Sequence, residues 1–469
     1  MRPRFHSRNS VRNMLPFVII PFLLFLILTG CAGNTDYPVH SRVEGQLSVR
    51  TDIDSTADYN GFRISVLTQK DGNVDTLGTA VTASDGIFMM DVFAPAEGVY
   101  PIVVERNGAT LTMGEFVAVN DDSVSVSGTF PLGPRSLRII SQENAAWTAY
   151  KNAKAQHNRS MVEVIQSDGY TPEDLGRVAG QTSTILWSIK NTYPGTIGAD
   201  IAMAESIAMM EGWDDSLVLE RLKEVNYDNE SIVAVVRAAR RSKTRMEGQD
   251  SAFALLQDFE MKVPEDKVPG IRAERVIAYS DGGLIDEAIA IATDLRREYP
   301  DSPWAEWATR ATYDLENLQP GMNAPVYSVT SRSGDTITSS TMESKFVILE
   351  FFDPAEQIWQ RDLEVRDGIS RALSDFMFQT VAVSVEPDID INEALFDGAD
   401  HPGHFVFSEE GLDQQIVKDF NVNVLPTRFL IDPDGILVAK YTGGALMDLE
   451  RDLASIVESL NRLAEKMNQ

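Results

Sequence analysis

The chain has 469 residues and the composition of a large acidic protein. It carries 41 lysines and arginines against 70 aspartates and glutamates, a formal charge of −29, and 43% of its residues are hydrophobic. This length predicts several domains of roughly 100–200 residues each, with enough apolar side chains to fill their cores. The negative charge argues against a nucleic-acid partner, because phosphates would be repelled. The single cysteine excludes an internal disulfide, a dithiol couple and a two-Cys zinc site.

The N-terminus has the pattern of a bacterial lipoprotein signal peptide. Four arginines precede an apolar run from Met14 to Leu28, and the segment from Leu28 to Cys31 reads Leu-Thr-Gly-Cys, a lipobox. We predict a signal peptide over residues 1–30, acylation of Cys31 with chains such as palmitate, and a polar tether over 31–40. Removal of residues 1–30 changes the formal charge from −29 to −33. The alternative is an uncleaved anchor helix. Ala32 favours transport to the outer membrane, facing the periplasm.

Residues 41–134 have the pattern of a small β-sandwich domain. Apolar and polar residues alternate around Phe62, Ile64 and Val66, and Asp71-Gly72 and Asp85-Gly86 mark turns between such runs. In its pattern and its place in the chain, this region resembles a β-sandwich that precedes a thioredoxin domain in some lipoproteins of Gram-negative bacteria.

Residues 135–318 are predicted to be a helical linker region. Thr171-Pro172-Glu173-Asp174 is typical of a helix start, with a capping hydroxyl and a proline in the first turn. Residues 273–318 resemble one tetratricopeptide-type hairpin. Because a solenoid needs about three repeats, we interpret the region as a spacer rather than as a peptide-binding superhelix.

The last third of the chain contains a series of motifs in a distinctive order. It opens with Gly-x-x-Ala-Pro at 321–325, continues with the apolar strand Phe346–Phe352, and carries Pro-Thr-x-Phe-Leu-Ile-Asp-x-x-Gly at 426–435. These motifs resemble those of the TlpA/ResA-like membrane-anchored thioredoxins over residues 321–465. The resemblance implies an α/β thioredoxin-like domain, which we assign to 319–469. Further strands are expected at 380–385, 428–431 and 437–441, with helices from Pro354, near 412–420 and from Met447.

By the same resemblance, Glu356 and Trp359 occupy the positions of the two redox cysteines. Thiol–disulfide exchange requires two nearby sulfurs and a thiolate, so the residues contradict the activity that the fold implies. Asp353, Pro354 and Glu356 instead have the spacing of a helix cap, a first helical position and a third one. The alternative hypothesis treats Asp353 and Glu356 as an acid/base or metal pair.

Pro426 is the family feature that this sequence keeps. The resemblance implies a cis-proline facing the active-site helix, and a preceding residue, Leu425, whose backbone pairs with an extended peptide. Leu425, Pro426 and Thr427 are therefore the candidate peptide-binding residues, although Pro426 also fits a purely structural role. Trp359 is expected to lie near them, in the core rather than as an exposed anchor.

No residue pattern indicates a metal or cofactor site. His401 and His404 flank Pro-Gly, which predicts a loop with two solvated histidines rather than a ligand pair. We expect no cofactor and no metal.

The sequence supports three hypotheses about function. The first is a lipid-anchored envelope protein, attached to the membrane through Cys31, whose redox-inactive thioredoxin-like domain binds a peptide or an envelope protein. The second is an enzyme, either a thiol–disulfide oxidoreductase by ancestry or one that uses Asp353 and Glu356. The third is an architectural spacer in an envelope complex. We favour the first, with no catalytic residue.

Overall fold

The computed structural model describes residues 37–52, 58–70, 73–131, 137–167, 169–373 and 377–467. The predicted signal peptide, Cys31 and the Asp71-Gly72 turn lie outside these ranges. The chain divides into two compact units between Met203 and Ala204, inside the region that the sequence assigned to a helical linker. Among the described residues, no helix combines the length and the apolar character needed to cross a membrane.

Eight strands form two four-stranded sheets in the first unit. The strands are β1 (Val39–Val49), β2 (Phe62–Lys70), β3 (Asn73–Val81), β4 (Ile87–Ala94), β5 (Gly98–Arg106), β6 (Ala109–Ala118), β7 (Asp122–Phe130) and β8 (Arg138–Ile140). Their spatial orders are β4-β1-β7-β8 and β3-β2-β5-β6. Alternate residues of both sheets, such as Val43 and Leu47 on β1 and Ile64 and Val66 on β2, fill one apolar core.

Two boundaries of this unit differ from the prediction. β1 begins at Val39, within the predicted tether, because residues 39–46 pair with β4. β8 lies in a segment that the sequence assigned to helix, because Arg138 to Ile140 add to the edge of β7.

Nine helices follow within the described residues. They are α1 (Gln142–Ile165), α2 (Pro172–Thr192), α3 (Ile197–Ala208), α4 (Asp215–Leu222), α5 (Ile232–Glu247), α6 (Gln249–Lys262), α7 (Val268–Asp281), α8 (Ile285–Glu298) and α9 (Pro303–Asn317). α2 starts as the sequence predicts: the Thr171 hydroxyl accepts from the Asp174 N–H, and the Asp174 carboxylate accepts from the Thr171 N–H.

The first helix belongs to the β-sheet unit rather than to a separate linker. The buried side chain of Asn144 accepts a hydrogen bond from the Val117 N–H (2.9 Å) and donates one to the Val117 carbonyl (3.2 Å). The Trp147 ring N–H donates to Glu115 at 2.8 Å. Because side chains of α1 satisfy backbone and side-chain groups of β6, strand and helix form one body.

The second unit ends in an α/β region built on a mixed sheet of five strands. Its elements are β9 (Ser328–Thr330), β10 (Thr336–Thr338), β11 (Phe346–Phe352), α10 (Gln357–Leu373), β12 (Phe378–Ser384), α11 (Ile389–Ala394), β13 (His404–Val406), α12 (Gln415–Asp419), β14 (Thr427–Ile431), β15 (Leu437–Thr442) and α13 (Leu446–Met467). The sheet order is β13-β12-β11-β14-β15, while β9 and β10 form a separate hairpin. β11, β12 and β13 are parallel, and β14 and β15 run antiparallel to their neighbours.

A buried network of charged side chains joins the central strand to its neighbours. Glu350 on β11 is 1% exposed, and its carboxylate accepts from Arg428 on β14 at 2.7 Å and from Arg366 on α10 at 3.1 Å. Arg366 also donates to Asp367 and to the Pro402 carbonyl, both at 2.8 Å. Burial favours a higher pKa for Glu350, but the charges of Arg428 and Arg366 outweigh it and hold the pKa below its ordinary value.

We expect Glu350→Gln to destabilise this region by about 3–5 kcal/mol, because two guanidinium groups would stay buried without their counter-ion. Since the folded-state pKa of Glu350 is lowered, its stabilising contribution is present above the unfolded-state pKa and is lost as the pH falls through the folded-state value. The measurement is the free energy of unfolding in urea, monitored by hydrogen exchange of the β11 amides, at neutral and at acidic pH. The matched control is Glu364→Gln, on the exposed side of α10. Equal stability of the two variants would contradict the prediction.

Candidate functional site

The start of α10 is built differently from the predicted cap. The helix begins at Gln357 rather than at Pro354. The Asp353 carboxylate accepts from the Ala355 N–H at 2.7 Å and forms a local turn, and the Glu356 carboxylate accepts from the Ile358 N–H at 3.3 Å. Glu356, which directly precedes the helix, is thus the residue that satisfies a free N–H of the first turn, and its charge suits the positive end of the helix.

In these contacts the two carboxylates of the acid/base hypothesis bind backbone N–H groups rather than each other. The carboxylates of Asp353 and Glu356 accept from separate backbone N–H groups, and each bond closes a local turn of the chain. Among the described residues, no group of three or more His, Cys, Asp or Glu side chains is arranged to hold a metal ion.

Trp359 is a core residue. Its side chain is 1% exposed and stacks on Phe352 with ring centroids 4.3 Å apart and an interplanar angle of 14°. Ala382 and Phe405 belong to the same buried cluster. Trp359 therefore packs against β11 and β12 and offers no surface to a partner.

The segment before β14 has the geometry that the resemblance implied. The peptide bond between Leu425 and Pro426 is cis. The buried Thr427 hydroxyl donates to the Val424 carbonyl at 2.6 Å, and the Pro426 carbonyl accepts from the Gly443 N–H at 2.7 Å. These bonds fix the loop from both sides and tie it to the turn after β15.

Leu425 and Val424 remain accessible in this fixed loop. Val424 is 47% exposed, while the Leu425 side chain is half-buried against the core beneath the sheet. Among the turn, loop and cap hydrogen bonds of the described residues, none involves the backbone of Leu425. A backbone N–H and a carbonyl held in a fixed geometry beside a sheet are the groups that pair with an added strand.

Helix α9 borders this loop, which the sequence analysis did not foresee. Asn421 donates to the Arg310 carbonyl at 2.9 Å and to the Asp314 carboxylate at 2.7 Å. Lys440 on β15 forms an ion pair with Asp314 at 2.7 Å, and Tyr313 donates to the Asp419 carbonyl at 3.0 Å. The partners are more than 100 residues apart in the chain, so no local pattern signals the contact.

Two open clefts flank the loop. The larger, about 870 Å³, lies between α7, α9 and the loop and includes Asn423 and Val424 in its wall. The smaller, about 480 Å³, includes Asn423 and Leu425. Arg310 lines both clefts. The candidate site is thus a grooved surface on either side of residues 423–425.

His401 and His404 are both partly buried and have side-chain partners, whereas the prediction was of two solvated histidines. His401 lies 2.6 Å through Nδ1 from the Asp367 carboxylate and 3.1 Å through Nε2 from the Leu395 carbonyl. His404 belongs to β13, a strand absent from the prediction, and lies 3.1 Å from the Gln379 side chain. The Pro-Gly pair between them does form a loop. The contact of His401 with the Asp367 carboxylate holds that loop against α10.

Comparison with known proteins finds similarity to solved structures alone, over about a third of the chain or less. No family model matches the chain, and no curated protein matches it. A putative thiol:disulfide interchange protein DsbE from Chlorobium tepidum is similar at 21% identity and a TM-score of 0.28, over 31% of this chain and 99% of that one.

Two further solved structures show the same kind of likeness. The thioredoxin domain of a thiol-disulfide oxidoreductase from Bacteroides vulgatus matches at 19% identity and a TM-score of 0.27, over 31% of this chain and 99% of that one. A secreted disulfide oxidoreductase from Mycobacterium tuberculosis matches at 14% identity and a TM-score of 0.22, over 25% of this chain and 83% of that one. At these identities and TM-scores the likeness carries no information on activity.

We expect Glu356→Ala to reduce stability by about 0.5–2 kcal/mol at most, because a helix loses one cap. The variant should keep every binding property of the parent. Urea unfolding measures its stability, and partner capture measures its binding. Asp353→Ala, which removes the neighbouring turn contact, serves as the comparison. Loss of an enzymatic activity in Glu356→Ala would favour the acid/base hypothesis instead.

Proposed function

We propose that residues 319–469 form a redox-inactive peptide-binding module of a lipid-anchored envelope protein. The observation that carries the proposal is the backbone of Leu425, which makes none of the turn, loop or cap hydrogen bonds of the described residues and lies between two clefts, next to residues held by the Thr427–Val424 and Gly443–Pro426 hydrogen bonds. An extended segment of a partner would pair with the backbone of this loop through main-chain hydrogen bonds and place its side chains in the clefts.

The chemistry of the neighbouring helix start supports binding rather than exchange. The positions equivalent to the two family cysteines hold Glu356, which caps α10, and Trp359, which lies in the core. The single cysteine of the chain is Cys31, which the lipobox assigns to acylation. Without two nearby sulfurs the domain has no disulfide to form or transfer. Fold and function are separable, since function resides in the site.

The cellular location that we propose follows from the N-terminal sequence alone. Acylation of Cys31 would anchor the protein in the envelope, and we propose the periplasmic face of the outer membrane. Two acyl chains suffice for stable attachment.

Replacement of Cys31 by serine should abolish membrane attachment through lipid. The measurement is metabolic labelling with alkyne-palmitate, followed by fractionation of envelopes. Wild type and a Gly33→Ser control should carry label and sediment with membranes, whereas Cys31→Ser should carry none. A labelled Cys31→Ser variant would contradict acylation at this residue.

Leu425→Arg should remove the partners of the module, because a long cation replaces an apolar side chain at the pairing edge. The measurement is chemical cross-linking in intact envelopes followed by capture of the full-length protein. The matched control is Val326→Arg, an apolar-to-arginine change at a position that is 83% exposed and lines neither cleft.

Because Leu425 also packs on the core, Val424→Arg provides a second variant at a more exposed position. Both loop variants should lose the same captured proteins, while the control keeps them. Retention of all partners by both would contradict the binding role and favour an architectural one. Reduction of insulin by the full-length protein would contradict redox inactivity.

A further inference from the structure

A small cavity lies inside the C-terminal α/β region, next to the buried charged network of Glu350. Its volume is about 10 Å³, and its wall combines Glu350, Arg366 and Arg428 with apolar side chains of β11, α10 and α13. Such a volume is close to the minimum that admits one water molecule. The cavity therefore accepts a ligand of that size and excludes a polyatomic ion.

The two arginines of the network bring more hydrogen-bond donors to this cavity than the protein satisfies. Arg428 binds Glu350 through Nε at 2.7 Å, but its Nη1 and Nη2 have no hydrogen-bond partner within the described part of the chain. Arg366 binds Glu350 through Nε and Asp367 through Nη1, and its Nη2 is likewise without a partner among the described residues. Both side chains are more than nine-tenths buried, at 1% and 4% exposure. Buried N–H groups without an acceptor destabilise a fold, so these groups point to a ligand.

The charges of the network are balanced, which favours a neutral ligand. Arg366 and Arg428 are matched by the carboxylates of Glu350 and Asp367, so two cations meet two anions. His401, which also contacts Asp367, does not line the cavity. An added anion would place a further charge in a buried site, at a large desolvation cost. A neutral molecule that accepts hydrogen bonds satisfies the N–H groups without that cost.

Two hydroxyl groups supply acceptors at the same cavity. Ser370 on α10 and Thr380 on β12 line it, and their hydroxyl oxygens lie 3.0 Å apart, so that one donates to the other. Each hydroxyl oxygen has two lone pairs, and the pair therefore retains acceptor capacity. An internal water molecule needs two to four polar partners, and this cavity offers both donors and acceptors.

We propose that this cavity is a binding site for one internal water molecule, which accepts from Arg428 and Arg366 and donates to the hydroxyl pair of Ser370 and Thr380. The water would complete the Glu350 network by connecting α10, β12 and β14. It would be a structural component of the region, independent of the proposed peptide-binding function. Failure of either proposal leaves the other standing, because the two sites have no residue in common.

The first test is a crystal structure of the full-length protein, soaked in sodium bromide, at a resolution that shows ordered water. We expect one density peak in the cavity, within about 2.7–3.2 Å of an Nη atom of each arginine and without anomalous scattering from bromide. An anomalous peak at this position would overturn the proposal, because it would identify a site for a monatomic anion. A cavity without density would overturn it equally.

The second test detects the water in solution. It uses the detergent-solubilised full-length protein with arginine labelled by ¹⁵N, and measures rotating-frame Overhauser effects between water and the Nη protons. We expect a direct effect from water to the Nη protons of Arg428 and Arg366, which are buried. Arg361, whose side chain is 66% exposed, is the control and should show only exchange with bulk solvent.

Arg428→Lys identifies the signals of Arg428. This variant keeps a cation for Glu350 but lacks the two Nη groups, so the fold should persist and the signals assigned to Arg428 should disappear. Nη protons of Arg428 that are detected without a direct effect from water would overturn the proposal. If the lysine variant does not fold, labelling of the wild type together with the crystal structure still decides the outcome.

Discussion

The carboxylate of Glu350 is the constraint on which the C-terminal α/β region depends. It lies in the central strand and binds one guanidinium from β14 and one from α10. The candidate site lies at the loop that leads into β14, so this buried group fixes the strand from which the loop extends. Such a network adds little net stability compared with a well-packed apolar core. The network instead specifies how the elements align, because a wrong register between the strands would leave a charge buried without a partner.

Glu350 also shows where sequence analysis reaches its limit. The strand Phe346–Phe352 was predicted with the bounds that the structure has, because its apolar run is unambiguous. A glutamate within such a run does not reveal its partners, and Arg366 and Arg428 lie 16 and 78 residues away. The helix cap at Thr171 could be predicted because local chemistry specifies it. The cis bond at Pro426 could be predicted because a motif of the resembled family indicates it. Three other features could not be predicted because they depend on the tertiary fold. They are the contact of α9 with the loop, the strand β13, and the hydrogen bonds of His401.

At the start of α10, the position of Glu356 follows simple electrostatics. A helix N-terminus favours an anion, and a carboxylate meets that preference as a thiolate does. Glu356 supplies that anion, and its carboxylate accepts from the Ile358 N–H. Trp359 completes the change by filling space with a stacked ring. The open surface of this region lies instead at the clefts on either side of residues 423–425.

The packing of α9 against the loop has a consequence for how this protein can be divided. Asp314 holds both Asn421 and Lys440, so part of the wall of the larger cleft is contributed from outside the thioredoxin-like sequence motifs. A fragment cut at residue 319 would keep the motif-bearing sheet but lose the helix that borders the groove and would expose the apolar side chains beneath it. The natural unit of exchange in evolution or engineering is therefore the helical segment together with the α/β region. Transfer of the last third alone would leave out the helix that forms part of the larger cleft.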